Sequence, residues 1–306
     1  MPEPAPRGIL LVDKPGGMTS HDVVARARRA LGTRKIGHAG TLDPMATGLL
    51  VLGVGPATRL LTYIVGLGKT YEATIRLGVS TDSDDADGTV TEHATNEALA
   101  AVDRAGIDRG IAALTGEIDQ VPSRVSAIKV GGKRAYDLAR AGEEVELKAR
   151  RVTVSRFDVR DVRDVVLNDV AGGSRAIDVD VIVDCTSGTY IRALARDLGA
   201  DLGVGGHLTA LRRTRIGPFE VSDAEAEITP DATLLRDADV AAAVLGAFEV
   251  SAEEARDLRH GKRLVGAAAR LSAPHPAAID PDGRLVGIVE RRGDDVKSLM
   301  NMAEDA

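Results

Sequence analysis

RRVTVSRFDVRDVRDVVLNDVAGGSRAIDVDVIVDCTSGTYIRALARDLGADLG, residues 150–203, decides the fold class. VTVSRFDVRDV (152–162) and IDVDVIVDC (177–185) alternate apolar and polar residues and are rich in Val, which predicts long antiparallel strands. Ser187-Gly188 then opens a helix over TYIRALARDLGADLG (189–203). Upstream, GILLVD (8–13) and LLVLGV (49–54) read as short buried strands. KTYEATIRLGV (69–79) reads as a strand with Tyr71, Ala73, Ile75 and Leu77 on one face. Ser20 is the expected N-cap of a helix through VVARARRAL that Gly32 stops, and 96–116 reads as helical. IGHAGTLDPMATG (36–48) reads as a loop, SAIKV (126–130) as a strand and 133–142 as a helix. Strands and helices mix without regular βα alternation. The expected class is α+β, with a mixed, mainly antiparallel sheet flanked by helices. Residues 222–248 read as a partly helical connection, and the remainder of the chain as a small β-rich unit with a turn at Pro281-Asp282-Gly283.

Composition narrows the chemistry. A single Cys, Cys185, excludes an internal disulfide framework and suits a reducing compartment. The start lacks the basic-then-apolar order of a signal peptide. The apolar stretch 45–68 holds Pro56, Arg59 and several glycines, which suit a strand and turn better than a membrane span. The chain therefore reads as cytoplasmic and soluble. Its net charge is −7, unusual for a nucleic-acid binder, but the charge is uneven. Nine Lys or Arg lie between Arg124 and Arg156 against four acids; LRRTR (211–215) adds three and ARARRALGTRK (25–35) five. These runs are either solvated faces or an RNA-binding face.

Common catalytic motifs fail on spacing. GLGKT (66–70) lacks the first Gly of a phosphate loop, having Tyr63 there, and leads into a strand. The acidic run 82–88 lacks calcium-loop spacing and reads as a solvated turn. Six scattered His and one Cys offer no metal-ligand pair, and no nucleophile elbow is present. No cofactor and no metal are expected. What remains is the loop around Asp43, where Pro44 restricts the Asp backbone and glycines allow a ligand to approach closely. Taken alone, Asp43 is either a turn-capping residue or a carboxylate presented at a cleft floor.

VDKPGGMTSHDVV (12–24), GHAGTLDPMATGLLVLGVGPATR (37–59), KTYEATIRLG (69–78) and CTSGTYIRALARDLG (185–199) resemble, in order, the signature blocks of TruB-type pseudouridine synthases. SAIKVGGKRAYDLARAG (126–142) and GGHLTALRRTRIGPF (205–219) extend the resemblance across residues 8–220. It implies cofactor-free isomerisation of uridine to pseudouridine at position 55, in the T-loop of tRNA. Asp43 matches the family's catalytic Asp; whether it attacks ribose or base, or removes a ribose proton, stays open. Arg192 matches the Arg that pairs with that Asp, and Tyr71 the Tyr that stacks on the target uracil. Tyr190 and Leu211 match further uridine-pocket residues, and His38 matches the His beside the nucleotide's exit from the RNA loop. Lys14 and Pro15 match a turn-shaping pair.

The resemblance further implies a catalytic domain over 1–225 with an RNA-gripping insertion at about 121–152, a connection over 226–246 and a PUA-like RNA-binding domain over 247–306. Expected backbone contacts are Lys129, Lys133, Arg134, Arg151, Arg212 and Arg213. The expected partner is the T-arm of tRNA, bound by a monomer with no obligate protein partner and no membrane. VPSRVSAIKV (121–130) departs from the Pro-Pro pair and Tyr common in relatives, and the tail is short for a PUA domain.

Overall fold

A strand buried on both faces reads as an unbroken apolar run, and GILLV is such a run. In the computed structural model, Leu10 and Val12 pack with Val23, Val24 and Ala27 on one side. Ile9 and Leu11 enter a second cluster with Leu49, Val51, Ile216 and Phe219. Residues 5–123, 129–130, 133–134, 147–167 and 174–302 are described, with backbone alone at 129–130 and 133–134.

The first part of the chain forms β1 (Gly8–Lys14), α1 (Ser20–Ala30), β2 (Ile36–Ala39), β3 (Thr47–Val54), α2 (Leu61–Ile64), β4 (Lys69–Leu77), β5 (Val79–Thr81) and β6 (Val90–His93). There follow α3 (Asn96–Ala100), α4 (Arg104–Ala113), β7 (Gly116–Gln120), β8 (Lys129–Val130), β9 (Lys133–Arg134), β10 (Arg150–Leu167), β11 (Ser174–Cys185), α5 (Ile191–Asp201) and β12 (Gly206–Ile216). The last part forms β13 (Phe219–Glu220), α6 (Asp237–Leu245), β14 (Ala247–Glu249), α7 (Ala252–Arg259), β15 (Ala277–Ile279), β16 (Leu285–Arg292) and β17 (Asp295–Asn301). The class is α+β, as the sequence predicts, with a β-rich C-terminal part. Two compact units divide the chain: Met1–Pro44 with Gly48–Leu67 and Ile216–Ala306, and Met45–Thr47 with Gly68–Arg215.

In the first unit β3 pairs antiparallel with β1 and with β2. The expected loop over 36–48 is therefore corrected at its start, where Ile36 pairs with Val54 and Ala39 with Val51. Gly37 and Gly53 face each other there. A Cβ on Gly53 would lie 2.9 Å from the Thr58 Cα, so the close approach needs glycine. The helix N-cap is Thr19, one residue before the expected Ser20; it forms a capping box with Asp22. The β1 edge is covered by 225–235: Ile9 and Leu235 exchange two main-chain hydrogen bonds, and Asp13 N–H donates to Glu225.

The 222–248 segment is more than a connection. Ala238, Val240 and Ala241 of α6 lie in the same core as Ile9 and Leu49. In the C-terminal sheet, ordered β14-β15-β16-β17, adjacent residues face opposite ways. Ala277, Leu285 and Ile288 join that core, whereas Ala278, Val286 and Val289 pack with Phe248, Leu258 and Val296.

The second unit holds the order β12-β4-β11-β10-β7. β10 and β11 are antiparallel, with Val162 opposite Val179. Val179, Val181 and Val183 are buried. The intervening aspartates bind across the opposite face: Asp178 to Arg76, Asp180 to Thr74 and Arg163, and Asp184 to Thr70 and Arg215. The Arg163 guanidinium holds Asp180 below the usual carboxylate range. The helix expected over 96–116 is two helices, because Asp103 caps a new start by accepting from Gly106 N–H at 2.7 Å. β8 falls within the strand expected at 126–130, and β9 occupies 133–134; the rest of the helix expected over 133–142 lies outside the described residues.

Lys69 opens β4 on its buried face and is 6% exposed. Burial, and then repulsion from Arg213, pull its ammonium down from 10.5 to about 8. The unfolded chain keeps this proton to higher pH than the folded one. The charged lysine therefore destabilises the fold fully below about pH 8, and the penalty is relieved as pH climbs from about 8 towards 10.5. Lys69→Met should be the more stable protein at pH 7, with its margin over wild type shrinking above pH 8. The Cys185 thiol, raised from 9.0 to about 11 by burial, acts in the opposite direction above its ordinary pKa. Thermal midpoints compared between pH 7 and 9 isolate the lysine, and a margin that stays constant contradicts this account.

Candidate active site

In the first unit Asp43 sits half-buried in the loop between β2 and β3, with both neighbours fixed by main-chain contacts. Ser20 Oγ accepts from Leu42 N–H at 2.9 Å and donates to the Leu42 carbonyl at 3.1 Å. The Pro44 carbonyl accepts from Gly17 N–H at 2.9 Å. It also accepts from the Lys14 ammonium at 3.3 Å. Lys14 is wholly buried and gives further hydrogen bonds to the Pro15 carbonyl at 2.9 Å and the Met18 carbonyl at 2.7 Å. Three carbonyls thus match the three protons of an ammonium. Lys14 and Pro15 tie the 15–18 turn to the loop that presents Asp43. His38, on β2, stands edge-on to His21, with ring centroids 5.6 Å apart.

In the second unit Tyr71 lies on β4 and is 8% exposed, while Leu211 is buried on β12. Tyr190 is half-buried and directly precedes α5. No side chain of its own caps that helix. Gln120, 2% exposed, clamps Tyr190 with a carboxamide that accepts from its N–H at 2.8 Å and donates to its carbonyl at 3.0 Å.

Arg192, on the first turn of α5, is buried. Its Nη1 donates to the Ser83 carbonyl at 2.8 Å and to Asp85 Oδ2 at 3.0 Å. The acidic run 82–88 is therefore no solvated turn. Ser83, Asp84 and Asp85 are buried, and Asp84 takes a left-handed φ of 60°. The other Asp85 oxygen accepts from Ser83 Oγ at 2.6 Å and Asp87 N–H at 3.1 Å, and Thr81 Oγ1 donates to the Asp85 carbonyl at 2.8 Å. One helical turn beyond Arg192, Arg196 reaches Asp84 Oδ2 at 3.3 Å and the Val121 carbonyl at 2.8 Å. Asp85 and Gln120 are the residues that the sequence reading missed.

The expected backbone contacts fare unevenly. Arg213 is 1% exposed and so presents no guanidinium at the surface, which corrects its reading as a phosphate contact. Arg151 is exposed but sits 3.1 Å from Glu117 and 4.0 Å from Asp119. Arg212 Nη1 donates to Thr47 Oγ1 at 3.4 Å. The backbones of Lys129, Lys133 and Arg134 pair across β8 and β9, and their side chains lie outside the described residues. Among the described residues no group of three His, Cys, Asp or Glu is placed to hold a metal, and no helix is long and apolar enough to cross a membrane.

Gln120→Met keeps the volume but takes away the carboxamide acceptor of the Tyr190 N–H and one of two donors to its carbonyl, which keeps the Leu194 N–H at 3.2 Å. Losing a buried hydrogen-bond partner costs about 1–3 kcal/mol. The variant should unfold at lower urea and turn over more slowly, with Gln120→Glu, which keeps the acceptor, in between. Unchanged urea midpoints in both would contradict the clamp.

Residues 28–191 match the family described as TruB family pseudouridylate synthase (N terminal domain). Residues 192–246 match the tRNA pseudouridylate synthase B C-terminal domain, and 245–303 the C-terminal domain of tRNA pseudouridine synthase II. A protein of Leifsonia xyli named tRNA pseudouridine synthase B is 56% identical over 301 residues, which span 97% of each chain. A namesake from Thermobifida fusca is 54% identical over 93% of this chain and 94% of its own. Among solved structures, an H/ACA RNP bound to a substrate RNA containing 2'-deoxyuridine shares the fold, with a TM-score of 0.66 and 23% identity over 97% of this chain and 86% of that one. A Cbf5-Nop10-Gar1 complex does so with a TM-score of 0.63 and 24% identity over 97% and 84%.

Proposed function

The chain belongs to the TruB family of pseudouridylate synthases, and on that footing we propose that it isomerises uridine 55 in the T-loop of tRNA to pseudouridine, with Asp43 as the essential carboxylate. The observation that carries the role of Asp43 is its mounting. Ser20, Gly17 and Lys14 fix the main chain on both sides of Asp43, a half-buried residue.

The reaction breaks the bond between ribose C1′ and N1 and forms one between C1′ and C5. The C5 hydrogen leaves as a proton and N1 is left bearing one, so no oxidant, reductant or cofactor is needed. A carboxylate suits this chemistry because it is ionised at neutral pH without help from a metal. The target base must first leave its stack, which takes a few kcal/mol that contacts in the pocket recover. In this reading Tyr71 stacks on the extruded uracil, Tyr190 and Leu211 contact the uridine, and His38 meets the RNA where the nucleotide leaves its loop.

The resemblance of GTYIR supports a pairing of Arg192 with Asp43. A guanidinium has five N–H donors, enough to serve Asp85 and a second carboxylate. Residues 121–152 would grip the RNA, and 247–306 would act as a PUA-like RNA-binding domain. The enzyme is proposed to work in the cytoplasm as a monomer without a guide RNA or protein partner.

An unmodified tRNA transcript incubated with the purified chain alone tests this reading, with pseudouridine mapped by carbodiimide-dependent primer extension. Conversion at position 55 is expected. Conversion at another position, or only when a guide RNA is added, would overturn it.

A further inference from the structure

Five cations crowd one stretch of the first unit. Arg26, Arg28 and Arg29 lie on α1, and Arg34 and Lys35 lead into β2; all five are exposed. Among the described residues none of them has a carboxylate within ion-pair distance, whereas Arg151, Arg156, Arg163 and Arg175 of the second unit each do. The one acid on α1, Asp22, is occupied at the helix start, where its Oδ2 accepts from Thr19 N–H at 2.9 Å and Thr19 Oγ1 at 2.7 Å. Arg28 is partly committed too, donating to the Ile36 carbonyl at 3.0 Å. Arg26 and Arg29 are three residues apart on one helical face, where like charges repel. In a chain of net charge −7, a concentration of cations with no close ion pair among the described residues, Arg26 feeling Asp22 only at longer range, matches a polyanion.

The place of this face also matters. α1 begins at Ser20, whose hydroxyl holds Leu42 beside Asp43. His21, on its first turn, meets His38 edge-on. The helix then runs away from that loop for 11 residues, about 16 Å.

We propose that Arg26, Arg29, Arg34 and Lys35 form a phosphate-binding face that receives the RNA backbone next to the nucleotide held at Asp43. The proposal rests on the pseudouridine synthase reading and adds a binding surface to it. Contacts of this kind position the RNA without reading its sequence. They also displace condensed counterions, so binding through them weakens as salt rises.

The test is tRNA affinity by filter binding across a series of KCl concentrations, for wild type, for the triple variant Arg26→Gln/Arg29→Gln/Arg34→Gln, and for Arg236→Gln. Arg236 is an exposed arginine already paired with Asp239. Each lost phosphate contact should flatten the plot of log affinity against log salt by about 0.7–0.9. The triple variant should therefore lose roughly 2 to 2.7 of the slope. Its catalytic defect should fall on KM far more than on kcat, and Arg236→Gln should keep the wild-type slope. If the triple variant folds poorly by circular dichroism, Arg29→Gln alone should still remove about 0.7–0.9. A wild type that converts tRNA while the variants keep its slope would overturn this face alone. A wild type that neither binds nor converts tRNA would take down the functional reading with it.

Discussion

Asp43→Asn is expected to abolish turnover while leaving the fold and RNA binding in place. Asparagine matches aspartate in size, and the hydrogen bonds that fix its neighbours run through the main chain of Leu42 and Pro44. The substitution should therefore remove the carboxylate's charge and reactivity but not the loop. Loss of an essential catalytic side chain lowers rates by roughly 10⁴ to 10⁶. We expect a fall of that order in single-turnover rate, an unchanged thermal midpoint and tRNA affinity within a few-fold of wild type. A variant that keeps even a tenth of the rate would remove Asp43 from its assigned role. One that loses both rate and fold would make the residue structural.

Asp85→Ala should bring the largest loss of stability. Its ion pair with Arg192 has side chains 5% and 4% exposed, and removing Asp85 takes a buried carboxylate away from an interior guanidinium. Breaking such a pair typically costs about 3–5 kcal/mol. Ser83 Oγ and Asp87 N–H lose their acceptor in the same step. The rate should fall as well, because the guanidinium proposed to face the catalytic carboxylate loses the anchor that aims it. A double variant separates the two effects. Asp85→Ala/Arg192→Met should be more stable than Asp85→Ala alone, since the buried guanidinium that lost its Asp85 partner is gone, yet no more active. Strictly additive stabilities would contradict a coupled buried pair.

How far the sequence could be read depends on where each signal lies. IDVDVIVDC announces its two faces because alternation is local: the valines are buried and the aspartates bond across the opposite face. GILLV and LLVLGV are equally plain, since strands buried on both sides leave no polar interruption. Residues 36–39 were hidden, because a four-residue strand containing Gly37 depends on its pairing with β3 rather than on its own propensity. The small residues of α6 read as a connection because alanines take their meaning from the core they fill.

The site divides in the same way. Asp43, Tyr71 and Arg192 stand in distinctive local motifs. Asp85 acts on a residue 107 positions away and Gln120 on one 70 away, so only folding joins them to their partners. An acidic run looks solvated until a buried guanidinium is found to need it. The grouping of 1–44 and 48–67 with 216–306 was beyond any reading in chain order.

The most direct measurement is single-turnover tritium release from a T-arm RNA carrying 5-tritiated uridine at the target position alone, with wild type and Asp43→Asn run side by side. The account predicts that wild type releases one tritium per RNA with no added cofactor or metal. Asp43→Asn should bind the same RNA and release none. Release by both proteins, or by neither while both bind the RNA tightly, would contradict an isomerase that works through Asp43.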